Sequence, residues 1–401
     1  MKTRIALSAL ALAVLAGCGG GGPEGPAAPS TNETSRVIAF GDSLTDGGAY
    51  SRGNSLLLQA PPPQGGGVPA ALANQVGKFT NSPGDNWVEV LAKKLGTTIA
   101  PERFEMGSLS PVAASNGVNT AANATNYAQG GSRVAQEPGV GCYLPAPAPQ
   151  TGPCSNQAAV PVKTQIDRAV AKGRFDAKDL VIVWAGANDV FYNATLAGND
   201  ITAATIAAGR PLTALETQNI VGKYVIAMET AALNALEQTR RVMANGAQRV
   251  VLMTIPNAGQ TPFGAQGGAS RIGLLTALAG AYNAQLKKEL DLSNPGGVLL
   301  FDAGALSSAW YTNPTANGFV NKDLPVCGIN SFAALPGSSS SFCFITAGPA
   351  GTQFNPFASV LPAGVTPENS MFADGVHPSL TAHGKFGNAV YDALKAKAWV
   401  K

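Results

Sequence analysis

Three short blocks of this chain carry residue types that can do nucleophilic chemistry. The first is Phe40-Gly41-Asp42-Ser43-Leu44, at the end of the apolar run Val37-Ile38-Ala39-Phe40. A serine just past a buried strand, beside a glycine that permits a sharp turn, can present its hydroxyl into a cleft; the same placement also suits a serine that caps a helix. The second is Gly186-Ala187-Asn188-Asp189, which follows the apolar run 180–184. An asparagine there can aim its amide hydrogens at a developing oxyanion, although Asn-Asp is also ordinary turn chemistry. The third is Asp374-Gly375-Val376-His377-Pro378. A carboxylate three residues before an imidazole, on one turn, can meet the ring and orient it.

The histidine count narrows the choice of base. The chain contains two histidines, His377 and His383. A serine hydroxyl is a poor nucleophile near neutral pH unless an imidazole takes its proton and later returns it. His383 falls on the stripe Leu380, His383, Gly387, Val390, Leu394 of a helical segment, where a packed structural role is expected. His377 has its carboxylate close by and lies outside that stripe, so Ser43, His377 and Asp374 are the expected catalytic residues.

These residues need elements to bring them together. Apolar runs at 37–40, 180–184, 249–255 and 298–301 read as buried strands, and 126–128 as a short extended piece ending at Gly130-Gly131. Between them, helical periodicity predicts helices near 87–95, 162–171, 217–245, 271–290 and 380–397. The helix at 217–245 carries the stripe Val221, Val225, Met228, Ala232, Leu236 and stops at Gly246. Strands alternating with helices predict an α/β fold, a parallel sheet covered on both faces in a three-layer α/β/α sandwich. The three chemical blocks then stand at the carboxyl ends of strands, where open α/β sheets bind ligands. Gly- and Pro-rich stretches at 53–77 and 136–160, and the segment 311–372, read as long excursions from that core. With no repeat and no second hydrophobic pattern, 36–401 reads as one domain.

Composition limits the alternatives. The chain has 401 residues, 45% hydrophobic and 13% charged, with 27 basic and 24 acidic side chains and a formal net charge of +3. That is enough chain for a sizeable core, too apolar for disorder, and too evenly charged to point to nucleic acid. No Gly-x-Ser-x-Gly occurs, which argues against an ordinary α/β-hydrolase, and neither a zinc-protease helix motif nor a phosphate-binding loop is present. No cofactor or metal is implied.

Lys2 and Arg4 precede an apolar stretch, 5–16, of export-signal length and too short to cross a bilayer. Leu15-Ala16-Gly17-Cys18 resembles the bacterial lipobox, in which the cysteine is acylated and becomes the mature first residue; an ordinary signal with an incidental cysteine is the alternative. The resemblance implies a signal peptide at 1–17, a lipid-anchored flexible tether at 18–35 and, with Gly19 after the cysteine, an outer-membrane lipoprotein of the cell envelope. Cys142, Cys154, Cys327 and Cys343 remain. In an oxidising compartment they read as disulfides; three pairings are possible, and proximity favours Cys142–Cys154 and Cys327–Cys343.

The ordered set of Gly-Asp-Ser-Leu at Ser43, Asn126-Tyr127-Ala128-Gln129-Gly130-Gly131, Gly-Ala-Asn-Asp at Asn188, and Asp-Gly-Val-His-Pro at Asp374 and His377 resembles the GDSL, or SGNH, hydrolase family. The resemblance runs from about residue 36 to the carboxyl terminus, with the long loops poorly matched. Gly77-Lys78-Phe79-Thr80-Asn81, the segment 255–262 and that from Asn313 to Cys327 are similar to its bacterial outer-membrane esterase and autotransporter-lipase branch. It implies a flavodoxin-like core with a five-stranded parallel sheet. It also implies an oxyanion hole made by the Ser43 amide, a glycine amide and the Asn188 side chain; spacing places the glycine at Gly131, with Gly130 as the alternative. The segment Gly47-Gly48-Ala49-Tyr50 departs from the Gly-Asn that many relatives carry there. The activity implied is hydrolysis of carboxylic esters, from small or aryl esters to lipids. A sugar O-acetyl esterase, or a non-catalytic surface lipoprotein that uses the fold for binding, are the alternative readings.

Overall fold

The computed structural model describes residues 33–59, 69–104, 118–119, 123–140, 159–293, 296–327, 339–343, 346–347, 353–354 and 361–401. The expected signal at 1–17, Cys18, most of the tether, and Cys142 and Cys154 lie outside the described residues.

Four parallel strands form the central sheet: β1 (Arg36–Gly41), β2 (Asp179–Trp184), β3 (Arg249–Met253) and β4 (Val298–Phe301), side by side in that order. In register, Phe40 faces Val183, Val183 faces Leu252, and Leu252 faces Leu300. Every residue of β2 and β3 is buried, as a parallel sheet covered on both faces demands. Among the described residues β4 has one neighbouring strand, and its residues are half-buried throughout, so the fully buried strand expected there is a sheet edge.

The sheet thus has four strands and not the five expected. Segment 125–129 takes the place beyond β1: the Ala39 amide donates to the Thr125 carbonyl (2.9 Å), Tyr127 to Ala39 (2.8 Å) and Gln129 to Gly41 (3.2 Å). It does not continue as a strand because the next donor of that ladder, the Gly41 amide, goes to Gln165 Oε1 at 2.9 Å and not to the Tyr127 carbonyl. A side chain thus takes the place of a main-chain acceptor, leaving one bridge to β1, Ala39 to Asn126.

Eight helices of eight or more residues accompany the sheet among the described residues: α1 (Ser51–Gln59), α2 (Trp87–Lys94), α3 (Val162–Lys172), α4 (Ala187–Ala208), α5 (Ala214–Ala244), α6 (Gly268–Ser293), α7 (Ala303–Thr312) and α8 (Leu380–Ala396). α2, α3, α5, α6 and α8 fall within a few residues of the periodicity. α4 was not legible, because its Ala, Thr and Asn residues carry no strong stripe; only its first half buries side chains such as Val190 and Asn193. On α5 the buried face is rotated from the expected one: Tyr224, Met228, Ala231, Ala232, Ala235 and Leu236 are buried, whereas Val221 and Val225 are half-buried.

Two helices matter most for the site. α2 starts at Asn86, whose side chain accepts from the Glu89 amide while Glu89 accepts from the Asn86 amide, a reciprocal cap that fixes its first turn. α8 starts at Ser379, whose hydroxyl accepts from the Ala382 amide at 3.2 Å. The two helices pack on each other, and an aromatic row seats them on the sheet: Trp87 lies 5.3 Å from Trp184, Trp184 5.5 Å from Phe386, and Phe386 4.5 Å from Trp310. Rings of this size each contribute on the order of 2–3 kcal/mol by leaving water. Because α8 begins three residues after His377, this row also fixes where the imidazole can stand.

Candidate active site

β1 ends at Gly41, where a Cβ would overlap the Trp184 carbonyl, so the chain can leave the sheet this tightly only with glycine. The Gly41 amide donates to Gln165 Oε1 (2.9 Å) and its carbonyl accepts from Gln165 Nε2 (2.8 Å). The chain then closes a turn, with the Thr45 and Asp46 amides donating to the Asp42 carbonyl (3.0 Å each) and the Leu44 amide to Asp42 Oδ1 (3.0 Å). Ser43 is the single residue of 37–50 that is not buried. The turn therefore presents one hydroxyl to solvent and ties down everything around it.

Ser43 Oγ lies 2.8 Å from His377 Nε2, and His377 Nδ1 lies 2.7 Å from Asp374 Oδ2 and 2.9 Å from Oδ1. With Asp374 as a carboxylate, Nδ1 carries the proton and Nε2 faces the serine as acceptor, the tautomer a general base requires. Asp374 is buried, which pushes its carboxyl up, but the charge and hydrogen bond of His377 and the donors around it outweigh burial and hold it at about 2. Those donors are the amides of Ser340 (2.6 Å), Val376 (2.9 Å) and His377 (2.8 Å). Phe79 packs on the imidazole, ring centres 4.9 Å apart. Its neighbours hold the following turn: Thr80 Oγ1 donates to the Pro378 carbonyl (3.1 Å), and Asn81 Oδ1 accepts from the Leu380 amide (2.9 Å). The block at 77–81 is thus a brace for the His377 loop.

The expected oxyanion donors differ in whether their hydrogens are already used. One N–H of the Asn188 amide donates to the Ser132 carbonyl at 2.9 Å, which orients the group and leaves its second N–H available. Of the two glycines, the Gly130 amide is occupied, donating to Asp46 Oδ2 at 2.8 Å. Among the described residues, neither the Gly131 amide nor the Ser43 amide donates to a protein acceptor. Gly131 has φ of +88°, and a Cβ there would overlap the Val140 carbonyl.

Several organising residues were not singled out in the sequence. Asp46 is buried and accepts from Gly48 (2.8 Å), Ala49 (2.7 Å) and Gly130, so it couples the serine turn to the glycine turn. Burial raises its carboxyl to about 6 against those three amides. Burial also raises Asp42, to about 7. Asp189 pairs with Arg133 at 3.0 Å and accepts from the Val134 amide (3.0 Å), which binds the start of α4 to the segment after Gly131; burial raises its carboxyl despite that partner. In the Gly47–Tyr50 segment, Tyr50 donates from its hydroxyl to the Gly130 carbonyl (2.8 Å), bracing the same turn. Acidic residues beside a Gly-rich turn were the one visible signal for Asp46; nothing local marks Gln165.

Of the cysteines, Cys327 and Cys343 form a disulfide with Cα atoms 5.9 Å apart, as proximity in sequence favoured. No helix among the described residues is long and apolar enough to cross a membrane.

Asp374 and His377 stand in the turn before α8 and not at a strand end as expected. A parallel α/β sheet that presents a serine at a strand end, in one hydrogen-bonded line with an imidazole and a carboxylate from such a turn, has the architecture of a serine hydrolase. The chain matches the GDSL-like Lipase/Acylhydrolase family over residues 37–390 and belongs to it, which makes it an ester hydrolase. No curated protein matches the chain.

Proposed function

We propose that this hydrolase cleaves carboxylic esters by two-step acyl transfer on Ser43. His377 Nε2 takes the Ser43 proton as Oγ attacks the ester carbonyl, and Asp374 holds the ring and balances the imidazolium that forms. The Ser43 and Gly131 amides and the free N–H of Asn188 receive the charge on the carbonyl oxygen. The imidazolium then protonates the leaving alcohol, and water, activated by the same imidazole, releases the acid. The observation that carries this reading is the continuous hydrogen-bonded line from Ser43 Oγ through His377 to Asp374.

The lipobox-like Leu15-Ala16-Gly17-Cys18 supports a lipid anchor, and with Gly19 a place at the outer membrane of the cell envelope. The blocks at 77–81, 255–262 and 313–327 support a place in the outer-membrane esterase and autotransporter-lipase branch. The test is turnover of a p-nitrophenyl ester series of increasing acyl length by wild type and Ser43→Ala. Turnover that follows chain length and vanishes in the variant is expected; a Ser43→Ala enzyme as active as wild type would sink the assignment.

A further inference from the structure

The acid of the hydrogen-bonded line is served from an unexpected direction. Val376 and His377, which donate to Asp374 Oδ1, belong to its own turn. Ser340 does not: its amide reaches Asp374 Oδ2 at 2.6 Å across 34 residues, at the first position of the 3₁₀ turn Ser340–Phe342. Oδ2 is also the oxygen nearest His377 Nδ1, at 2.7 Å, so one carboxylate oxygen lies between the imidazole and this distant amide.

Two connections place that amide. Cys327 donates from its amide to the Ala373 carbonyl at 2.7 Å, directly before Asp374, and Ala373 donates to the His377 carbonyl at 2.8 Å. The Cys327–Cys343 disulfide joins this strip to the 3₁₀ turn, whose Cys343 amide donates to the Ser340 carbonyl at 2.8 Å. Both cysteines and Ala373 are buried together as a small cluster apart from the main core. On its other side, the Ser341 carbonyl accepts from Asn54 Nδ2 (3.0 Å) and the Gly77 amide (2.9 Å).

We infer that turn 339–343 is a positioning element for the active-site acid: the Ser340 amide fixes the Asp374 carboxylate, and the Cys327–Cys343 disulfide holds that amide in place. The function acts through the main chain. Ser340 Oγ is buried without a hydrogen-bond partner among the described residues, so the bond in place to Asp374 is the one from the main-chain N–H. Activity therefore depends on the oxidised state of this one bond. Reduction by a dithiol transfers two electrons and two protons to the S–S bond, giving two thiols while the reagent closes to its own cyclic disulfide. This inference rests on Asp374 orienting His377.

The experiment compares the full chain with four variants. Ser340→Pro deletes the N–H at a position proline tolerates, the first residue of a turn, after a Ser339 already extended at φ −75° and ψ 126°. It should lower kcat roughly ten- to a hundred-fold, the range of one hydrogen bond to a charged group, with KM nearly unchanged. Ser340→Ala restores the N–H and should recover turnover. Cys327→Ala/Cys343→Ala should reproduce the kcat loss and make the enzyme insensitive to dithiothreitol; if Ser340→Pro does not fold, this pair carries the test. Wild-type kcat in a folded double variant or a folded Ser340→Pro would overturn the inference, as would a loss seen in KM alone. Asp374→Asn separates the failures: if it is inactive while the other variants are normal, only this inference falls, and if it is fully active, the role of Asp374 falls too.

Discussion

His383 gives a prediction whose size comes directly from its surroundings. It is buried on α8, as the stripe predicted, with Nδ1 accepting the Trp87 amide at 3.3 Å and Nε2 lacking a hydrogen-bond partner among the described residues. Burial drives its pKa from 6.5 down to about 3; the Phe79 carbonyl favours the protonated ring slightly, and the charges of His377 and Lys78 oppose it. The folded protein therefore keeps this imidazole neutral while the unfolded chain protonates it. A depressed folded pKa means the contribution to stability is complete above about 6.5 and is lost as pH falls towards about 3. At about 1.4 kcal/mol per pH unit, this single group removes about 3 kcal/mol between neutral pH and pH of about 4.5. Asp42 and Asp46, raised to about 7 and about 6, act in the opposite sense, gaining stability on acidification, so the net slope of wild type hides the effect. His383→Gln isolates it, since the amide oxygen can still accept from Trp87 but cannot be protonated in this range. Urea unfolding of both proteins at the two pH values should show the variant losing about 3 kcal/mol less than wild type, whatever its stability at neutral pH. The variant should also retain turnover, because His383 does not touch Ser43. Equal losses in the two proteins would show that His383 does not stay neutral in the fold, and would refute the reasoning.

Four further outcomes are expected. Ser43→Ala should lose all measurable ester hydrolysis at an unchanged melting temperature, and an organophosphonate should label Ser43 in wild type; mass spectrometry locates the adduct. Asn188→Ala should lower kcat by roughly 10²–10³ with a small change in KM, whereas a pure KM effect in steady-state kinetics would assign Asn188 to ground-state binding. Gly131→Ala, forcing a side chain at φ +88° against the Val140 carbonyl, should cost on the order of 1–3 kcal/mol by denaturant titration and depress kcat, while a stable and fully active variant would remove Gly131 from the oxyanion site. Cys18→Ser should abolish acylation of the mature terminus, seen as loss of the lipid mass; an unchanged acyl mass would disprove the anchor.

The residues that could do chemistry were legible because each signal is local. Asp374 and His377 are three apart, so a single turn brings them together in any fold that preserves it. Ser43 and Asn188 each follow a run apolar enough to be a strand, and strand ends are where parallel sheets expose side chains. Helices with a clear stripe were legible for the same reason, and α4, without one, was not. The sheet falls one strand short at 126–128 because the Gly41 amide, which would extend the ladder, donates to Gln165, a partner 124 residues away that no local pattern marks.

What the sequence by itself determined is which side chains can act and which segments are strands or helices, since those depend on residue type and short spacing. Only the tertiary structure decided how they meet. Ser43 and His377 are 334 residues apart, Gly41 and Gln165 are 124 apart, and Gly130 reaches Asp46 across 84. That last bond occupies the Gly130 amide, while the Gly131 amide donates to no protein acceptor among the described residues. The Ser340 amide on Asp374 was equally invisible, because every residue except proline carries the same N–H, and only the folded path of the chain selects the one that faces a buried carboxylate.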